Sequence, residues 1–333
     1  MKSLDLLMVL TLAVIWGVSF LLVRVAAPAL GPLGLVTARM LIAGGVLLGY
    51  ARLTRHPLPD LRSAWPAYLT LGALNSALPL ALEAFAVVEL SASLAAILAA
   101  TVPLFTVLAA AVWLRERLTV AKVAGVLLGM AGVAVLVGGG SVPTGAMAAL
   151  AVGAMLLAAL LYALGGIYTR VAFSGTSPLA LSIGQEVLAG LLLLPFALAA
   201  PSTGVPATPA VLAATLTLAL VMTAGGNLLF FALIARAGPT RTQVVGFLIP
   251  VVALLAGALL LGEPVGAGTL AGLAAIFAGV GLVLRPQHGA RTSITPHGNT
   301  PDALARPALP AGPLYDRHSR RRIRSRQGLA AGA

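Results

Sequence analysis

Apolar residues in this chain come in long, nearly unbroken runs, not in the alternating or one-face patterns of half-buried strands and helices. Interruptions by Pro, Gly and charge divide them into spans at 6–23, 32–50, 66–88, 91–114, 119–138, 145–169, 178–200, 209–235, 242–262 and 266–284. A run of about 18–20 apolar residues carries an α-helix across the hydrocarbon core of a bilayer, and a helix satisfies its own backbone groups there. The pattern predicts an all-α polytopic membrane protein with ten transmembrane helices.

Composition excludes the soluble alternatives. Of 333 residues 59% are apolar and 9% charged, and the mean hydropathy is +1.03, against about 45–50% apolar and about 25% charged in soluble domains. A soluble enzyme, a disordered protein and a nucleic-acid module are thereby set aside. The net charge of +12 divides into +5 over residues 1–284 and +7 over 285–333, so it reads as topology, not DNA binding. With the N-terminus inside, the cytoplasmic segments hold Lys2, Arg52, Arg55, Arg62, Arg115, Arg117, Lys122, Arg170, Arg236 and Arg241, and the outer loops hold only Arg24. The positive-inside rule then places both termini in the cytoplasm of a bacterial-type cell, with the chain in its inner membrane. A cleaved signal peptide ending near Ala27-Pro28-Ala29 would leave an odd number of spans and spoil that asymmetry, so the first run is read as a span. No cysteine is present, which excludes disulfides, iron–sulfur clusters and thiolate metal sites.

The chain repeats itself. At an offset of 147 residues Pro103 falls on Pro250, Glu116 on Glu263, Gly125 on Gly272, Gly132 on Gly279 and Val133 on Val280. Nearer the start of each half the offset is 146: Trp16 and Arg24 fall on Tyr162 and Arg170, Arg39 on Gln185, and Phe85-Ala86 on Phe231-Ala232. Two five-span repeats, 1–138 and 142–285, follow, joined at Gly138-Gly139-Gly140. An odd span count makes the second copy enter the membrane from the opposite side. Such inverted repeats are the architecture of alternating-access carriers.

The spans resemble the EamA-type branch of the drug/metabolite transporter superfamily. The resemblance rests on Trp16-Gly17-Val18-Ser19-Phe20, Arg39, Ser91-Ala92-Ser93 leading to Pro103, and Arg115-Glu116-Arg117-Leu118-Thr119 followed by Gly125 and Gly132. Its second copy is Leu261-Gly262-Glu263-Pro264 with Gly272 and Gly279. It covers residues 1–285 and implies export or import of amino acids, related metabolites or drugs, driven by proton or solute gradients. Glu83 departs from the pattern, standing where an apolar or aromatic residue is expected and opposite Leu229 in the repeat.

No catalytic apparatus is legible. His56, His288, His297 and His318 all lie in loops or the tail, no Gly-rich loop ends in Lys-Ser or Lys-Thr, and neither an enzyme activity nor a cofactor or metal is expected. The informative residues are polar groups inside spans, where a charge such as Arg costs about 2.5–3.5 kcal/mol on insertion scales. Arg39 and Glu83 both fall about 8–10 Å below the outer ends of their spans, a depth that suits a buried ion pair or a coupling site. Glu186 falls about 12 Å inside the cytoplasmic face, a third coupling candidate or a carboxylate watered from the span end. Asn75, Pro79 and Glu83 share a face of span 3, as Thr223 and Asn227 do of span 8. With Trp16 and Ser19 of span 1 and Tyr162 of span 6 they form a candidate substrate wall of aromatic, amide and hydroxyl groups, suited to a zwitterionic or amphipathic solute. Interfacial placement or helix–helix bonding explains the same residues without a substrate.

Pro79, Pro103, Pro195 and Pro250 are expected to kink their helices, Pro103 and Pro250 as repeat-matched hinges. Gly125-x-x-x-Gly129 and Gly268-x-x-x-Gly272 are close-packing faces, for scaffolding or a homodimer. Residues 286–333 read as a disordered basic cytoplasmic tail. The sequence thus predicts a carrier moving a small organic metabolite, an amino acid or related compound, outward by alternating access. Protons are a second candidate partner besides the bilayer, and no nucleic acid is expected. A proton-coupled exporter of drugs or organic cations and a lipid-carrier flippase are the alternatives.

Overall fold

A computed structural model describes residues 3–116, 118–138, 144–173, 175–201, 203–237 and 244–284. Lys2, Arg117, Gly139, Gly140, Arg241, the start of the ninth span and the basic tail lie outside them. Helix α1 (Ser3–Leu53) runs through both of the first two spans as two arms meeting at Gly31, whose φ of 70° is open to glycine and strained for other residues. The sequence reading put Arg24 in a loop. It sits in the first arm, because its guanidinium donates to the Val87 carbonyl at 3.2 Å and to that of Leu90, neutralising a helix C-terminus.

The third span is α2 (Leu61–Gly72) and α3 (Leu78–Glu89) joined by a π-helical turn, Ala73–Ala77. The eighth repeats this device: α9 (Pro209–Thr217), a π-helical stretch Leu218–Gly225, and α10 (Gly226–Ala237). The two π segments coincide under the 146-residue offset. Between them lie α4 (Ala92–Ala99), α5 (Val102–Trp113), α6 (Val120–Leu136), α7 (Ala146–Ala172) and α8 (Pro178–Ala199). Helices α11 (Val244–Leu261) and α12 (Ala267–Val283) close the described chain.

Short polar caps start these helices. Ser91, Thr119, Ser177 and Thr208 each accept from the backbone N–H three residues on, satisfying a donor the helix leaves free. The prolines behave unequally. Pro79 and Pro103 stand in the first turns of α3 and α5, just past the π turn and the break at Ala100–Thr101. Pro195 and Pro250 lie inside helices that continue unbroken through them. The repeat-matched pair is therefore a break in one half and an interior position in the other.

Among the described residues six helical runs are long and apolar enough to cross a membrane: Ser3–Leu53, Leu61–Glu89, Ala92–Trp113, Ala146–Ala172, Pro178–Ala199 and Pro209–Phe230. Val120–Leu136, Leu248–Leu261 and Ala267–Val283 are shorter apolar helices. Their outward faces are themselves apolar, Val112, Leu127, Leu198 and Leu259 among them, the surface of a protein whose solvent is lipid. Arg62–Ala64 of α2 belong to a second unit; the other described residues form one compact body.

Glycines set the closest approaches in that body. A Cβ on Gly125 would lie 2.6 Å from the Gly279 carbonyl, and one on Gly279 would lie 2.5 Å from the Gly125 carbonyl. Gly132 and Gly272 oppose each other in the same reciprocal way, at 2.9 and 3.0 Å. Because 125 meets 279 and 132 meets 272, α6 and α12 run antiparallel. The second arm of α1 and α8 do likewise: Gly44 faces Val187, and Gly190 faces Leu41. Both pairs join positions related by the repeat offset. The small-residue faces at Gly125, Gly129 and Gly272 are thus occupied within the chain, against α12, Leu104 and α6 respectively.

Candidate functional site

The two π segments bring polar side chains together. A π turn inserts a residue and shifts the carbonyls that an α-helix would consume, and in an apolar interior those carbonyls need other donors. The Trp16 indole donates to the Met222 carbonyl at 3.0 Å, and Thr223 donates its hydroxyl to the Leu218 carbonyl at 2.9 Å. Trp16 also packs on Phe230 at 5.2 Å, and Ser19 spends its hydroxyl on the Trp16 carbonyl at 2.6 Å. This indole and this hydroxyl are therefore committed to the fold.

A network crosses between the halves beside these turns. Asn75 donates to Gln185 Oε1 at 2.9 Å, and Gln185 Nε2 donates to Ser76 Oγ at 2.7 Å and Glu186 Oε1 at 3.0 Å. The same Oε1 accepts from Ser76 Oγ at 3.1 Å and from Asn227 Nδ2 at 3.4 Å. Arg39 Nε donates to Thr223 Oγ1 at 2.6 Å. Positions 39 and 185 are repeat-related, and each reaches the π segment of the other half. The network therefore has the same reciprocal character as the glycine seams.

The charged residues arrange themselves differently from the simplest sequence expectation. Arg39, 7% exposed, is not in ion-pair contact with Glu83. Thr223 holds its Nε, while Glu83, Tyr162 and Glu186 all lie within electrostatic reach of the guanidinium. Glu83 lies within reach of the Arg39 charge and also interacts with the Tyr162 side chain. Depth along the spans suggested an Arg39–Glu83 pair because depth says nothing of azimuth around each helix. Glu186 is 2% exposed. Its Oε2 has no partner.

Sequence reasoning passed over Ser76 and left Gln185 out of the site. Gln185 carried a usable signal, its coincidence with Arg39. Also missed was Asp5, which pairs with Arg236 at 3.5 Å. Among the described residues no three of His, Cys, Asp and Glu group as metal ligands. A cavity of about 570 Å³ opens between α1, α3 and α7, lined by apolar side chains including Leu33, Leu82, Phe85 and Leu161.

Glu116 and Glu263 begin alike, each donating its backbone N–H to a carbonyl six residues back, Ala110 and Gly257. Their carboxylates diverge. Glu116 pairs with Lys122 at 3.7 Å and Arg170 at 3.9 Å. Glu263 caps α4 from the other half, accepting from the N–H groups of Ala92 and Ser93 at 2.8 and 3.1 Å and from Ser93 Oγ at 2.5 Å. A Glu263→Gln variant, which loses the charge at a helix N-terminus, is expected to be less stable by about 1–2 kcal/mol. Thermal unfolding in detergent checks this, and an unchanged midpoint would show the cap to be inert.

The model of the EamA-like transporter family matches residues 3–138 and again 149–285. The chain belongs to this family. It is similar to the "Uncharacterized transporter YvbV" of Bacillus subtilis (strain 168), 29% identical over 85% of this chain and 92% of that protein. It is also similar to the "Uncharacterized inner membrane transporter YedA" of Escherichia coli (strain K12), 29% identical over 76% of this chain and 81% of the relative. A solved crystal structure covering 85% of this chain and 98% of its own superposes with a TM-score of 0.60 at 20% identity, a likeness of fold. This EamA-like transporter is a membrane protein of the drug/metabolite transporter superfamily, built from two copies of one unit. Its polar network lies where those copies meet.

Proposed function

We propose that this EamA-like transporter is an inner-membrane secondary carrier that exports a small organic metabolite, an amino acid or related compound, by alternating access. Ten transmembrane helices form two inverted five-helix repeats, 1–138 and 142–285, with both termini cytoplasmic. The observation that carries the reading is the polar network, which joins the halves at matching π turns in an otherwise apolar interior. Asn75, Tyr162, Thr223 and Asn227 then contact the substrate with Arg39 and Glu83, and Trp16 and Ser19 hold the wall behind them.

Three further observations support the architecture. The 51 residues of α1 are more than twice the roughly 20 that one crossing needs, and Gly31 divides them. The antiparallel glycine seams are what inverted copies of one helix produce when packed across a two-fold axis. Contacts among segment ends also fall into two sets. Asp5–Arg236 and Glu116 with Lys122 and Arg170 join segments assigned to the cytoplasm. Thr203–Ala29, Arg24 with Val87 and Leu90, and Glu263 with Ala92 and Ser93 join segments assigned to the outside.

The chain has no cysteine, so single-cysteine variants report sidedness cleanly. Val205→Cys is expected to react with a membrane-impermeant maleimide in intact cells, and Leu53→Cys only after permeabilisation; the reverse pattern would refute the orientation. The function is tested by uptake and efflux in liposomes with a panel of amino acids, related metabolites and cationic drugs. Movement of one compound class is the expected result. If the folded protein moves no soluble compound but moves labelled lipid, the carrier reading gives way to a flippase.

A further inference from the structure

Glu186 differs from the other buried polar groups in how its two oxygens are used. Oε1 accepts from Ser76, Gln185 and Asn227, all neutral donors. Oε2 is buried and bonded to nothing. An ionised carboxylate shares its charge between both oxygens, so this arrangement would leave half an anion unsolvated, one of the costliest states a folded interior can hold. A neutral carboxylic acid fits better: Oε1 is the carbonyl that collects the donors and Oε2 bears the proton.

The surroundings specify a proton over a larger cation. Oε2 has essentially no accessible surface, so neither a substrate ammonium nor a metal ion reaches it without opening the helix contacts. The charged and titratable groups around it are Arg39 on α1, Tyr162 on α7 with Glu83 beyond it on α3, and Tyr68 of α2, which packs on Gly184. Arg39 lies within electrostatic reach, yet it bonds Thr223 and not the carboxylate. Ser182, one turn earlier on the same face of α8, holds a second buried hydroxyl oxygen without a partner. A further buried hydroxyl without a partner, Thr37 Oγ1, lies on α1, two residues before Arg39.

We infer that Glu186 is the proton carrier of this transporter, taking a proton from water at one face onto Oε2 and returning it to water at the other. The inference rests on the carrier reading above. In the structure described, the site is loaded. Release turns the cluster anionic and strengthens its attraction to Arg39, which ties the state of Glu186 to the Arg39–Thr223 bond between the halves. Proton occupancy thereby biases the contact that a rocking motion must remake.

Dicyclohexylcarbodiimide, which couples to protonated carboxyls in apolar surroundings, tests this. In the liposome-embedded full chain, peptide mass spectrometry is expected to find the adduct on Glu186, strongest in acid and falling as pH rises. The reagent reaches Oε2 only when the helix contacts open, so the labelling is run under solute exchange, and no adduct at Glu186 at any pH in protein that is exchanging solute would overturn the inference. Glu186→Gln copies the loaded acid. In the same liposomes it is expected to lose accumulation driven by a pH gradient, and whatever exchange of a panel solute it retains is expected to be independent of pH. Gradient-driven accumulation by Glu186→Gln would likewise overturn it. Should that variant fail to fold, Glu186→Asp, which keeps a titratable group, is expected to show an adduct with a displaced pH profile; an adduct that does not vary with pH refutes the assignment. If no panel solute moves through the wild type, the carrier reading fails on that result, while an adduct that falls as pH rises still shows that Glu186 binds a proton.

Discussion

A Gly279→Val variant is expected to lose the folded state at temperatures where the wild type remains intact, the largest stability effect we foresee. The added Cβ would stand 2.5 Å from both the Gly125 carbonyl oxygen and the Gly129 amide nitrogen. Backbone atoms cannot rotate away as a side chain can. Overpacking a core commonly costs about 1–3 kcal/mol when side chains absorb it, and here the clash falls on the partner helix itself, so about 3 kcal/mol or more is expected. The reciprocal contact at Gly132 and Gly272 would open with it, because the two helices meet as rigid rods. Gly281 on the same helix has nothing within 4 Å of its would-be Cβ, so Gly281→Val serves as the control and is expected to melt like the wild type. Fluorescence-detected size exclusion after graded heating reads both. Equal melting of the two variants would show that the α6–α12 seam is not the tight contact described.

The second large effect is on flux. Arg39→Met is expected to insert and fold at least as well as the wild type and to lose transport by about tenfold or more, equivalent to about 1.4 kcal/mol in the barrier. Methionine retains a long apolar side chain and removes a charge whose insertion costs about 2.5–3.5 kcal/mol. It also removes the 2.6 Å bond to Thr223 and the one cation within reach of Glu83, Tyr162 and Glu186 among the described residues. Arg39→Lys is expected to recover little, since an ammonium on a flexible stem does not reproduce the planar fork that places Nε on Thr223. Adding Glu83→Gln to Arg39→Met removes the carboxylate left without its nearby cation and is expected to leave expression unchanged and flux unrecovered. Counterflow in liposomes of a solute identified from the panel checks the series. Wild-type counterflow by Arg39→Met would remove Arg39 from the site.

The division between what could be read and what could not follows particular residues. Arg39, Glu83 and Glu186 stood out at once, because an ionisable group within an apolar run has few reasons to be there. Their partners did not. Arg39 was matched with Glu83 on depth, and the structure gives it Thr223, a residue of the other half 184 positions away. Ser76 carries no sequence signal of its own, since a serine in a membrane helix commonly bonds its own backbone, as Ser19 does; the π turn brings it to Glu186. Gly125 and Gly272 were recognised as packing faces but not as facing each other's helix. Pro103 and Pro250 match in sequence and diverge in structure: Pro103 stands in the first turn of α5, where its missing N–H would be unused, and Pro250 lies inside α11.

By itself the sequence determined that this is a helical membrane protein made of two related halves. Those properties reside in composition, run length and self-similarity, which each residue carries whatever its neighbours in space. The tertiary structure alone decided which polar groups meet. Azimuth about a helix, the residue shift of a π turn and the crossing of two antiparallel glycine faces depend on atoms far apart in the chain. It is these that leave one oxygen of Glu186 saturated and the other bare.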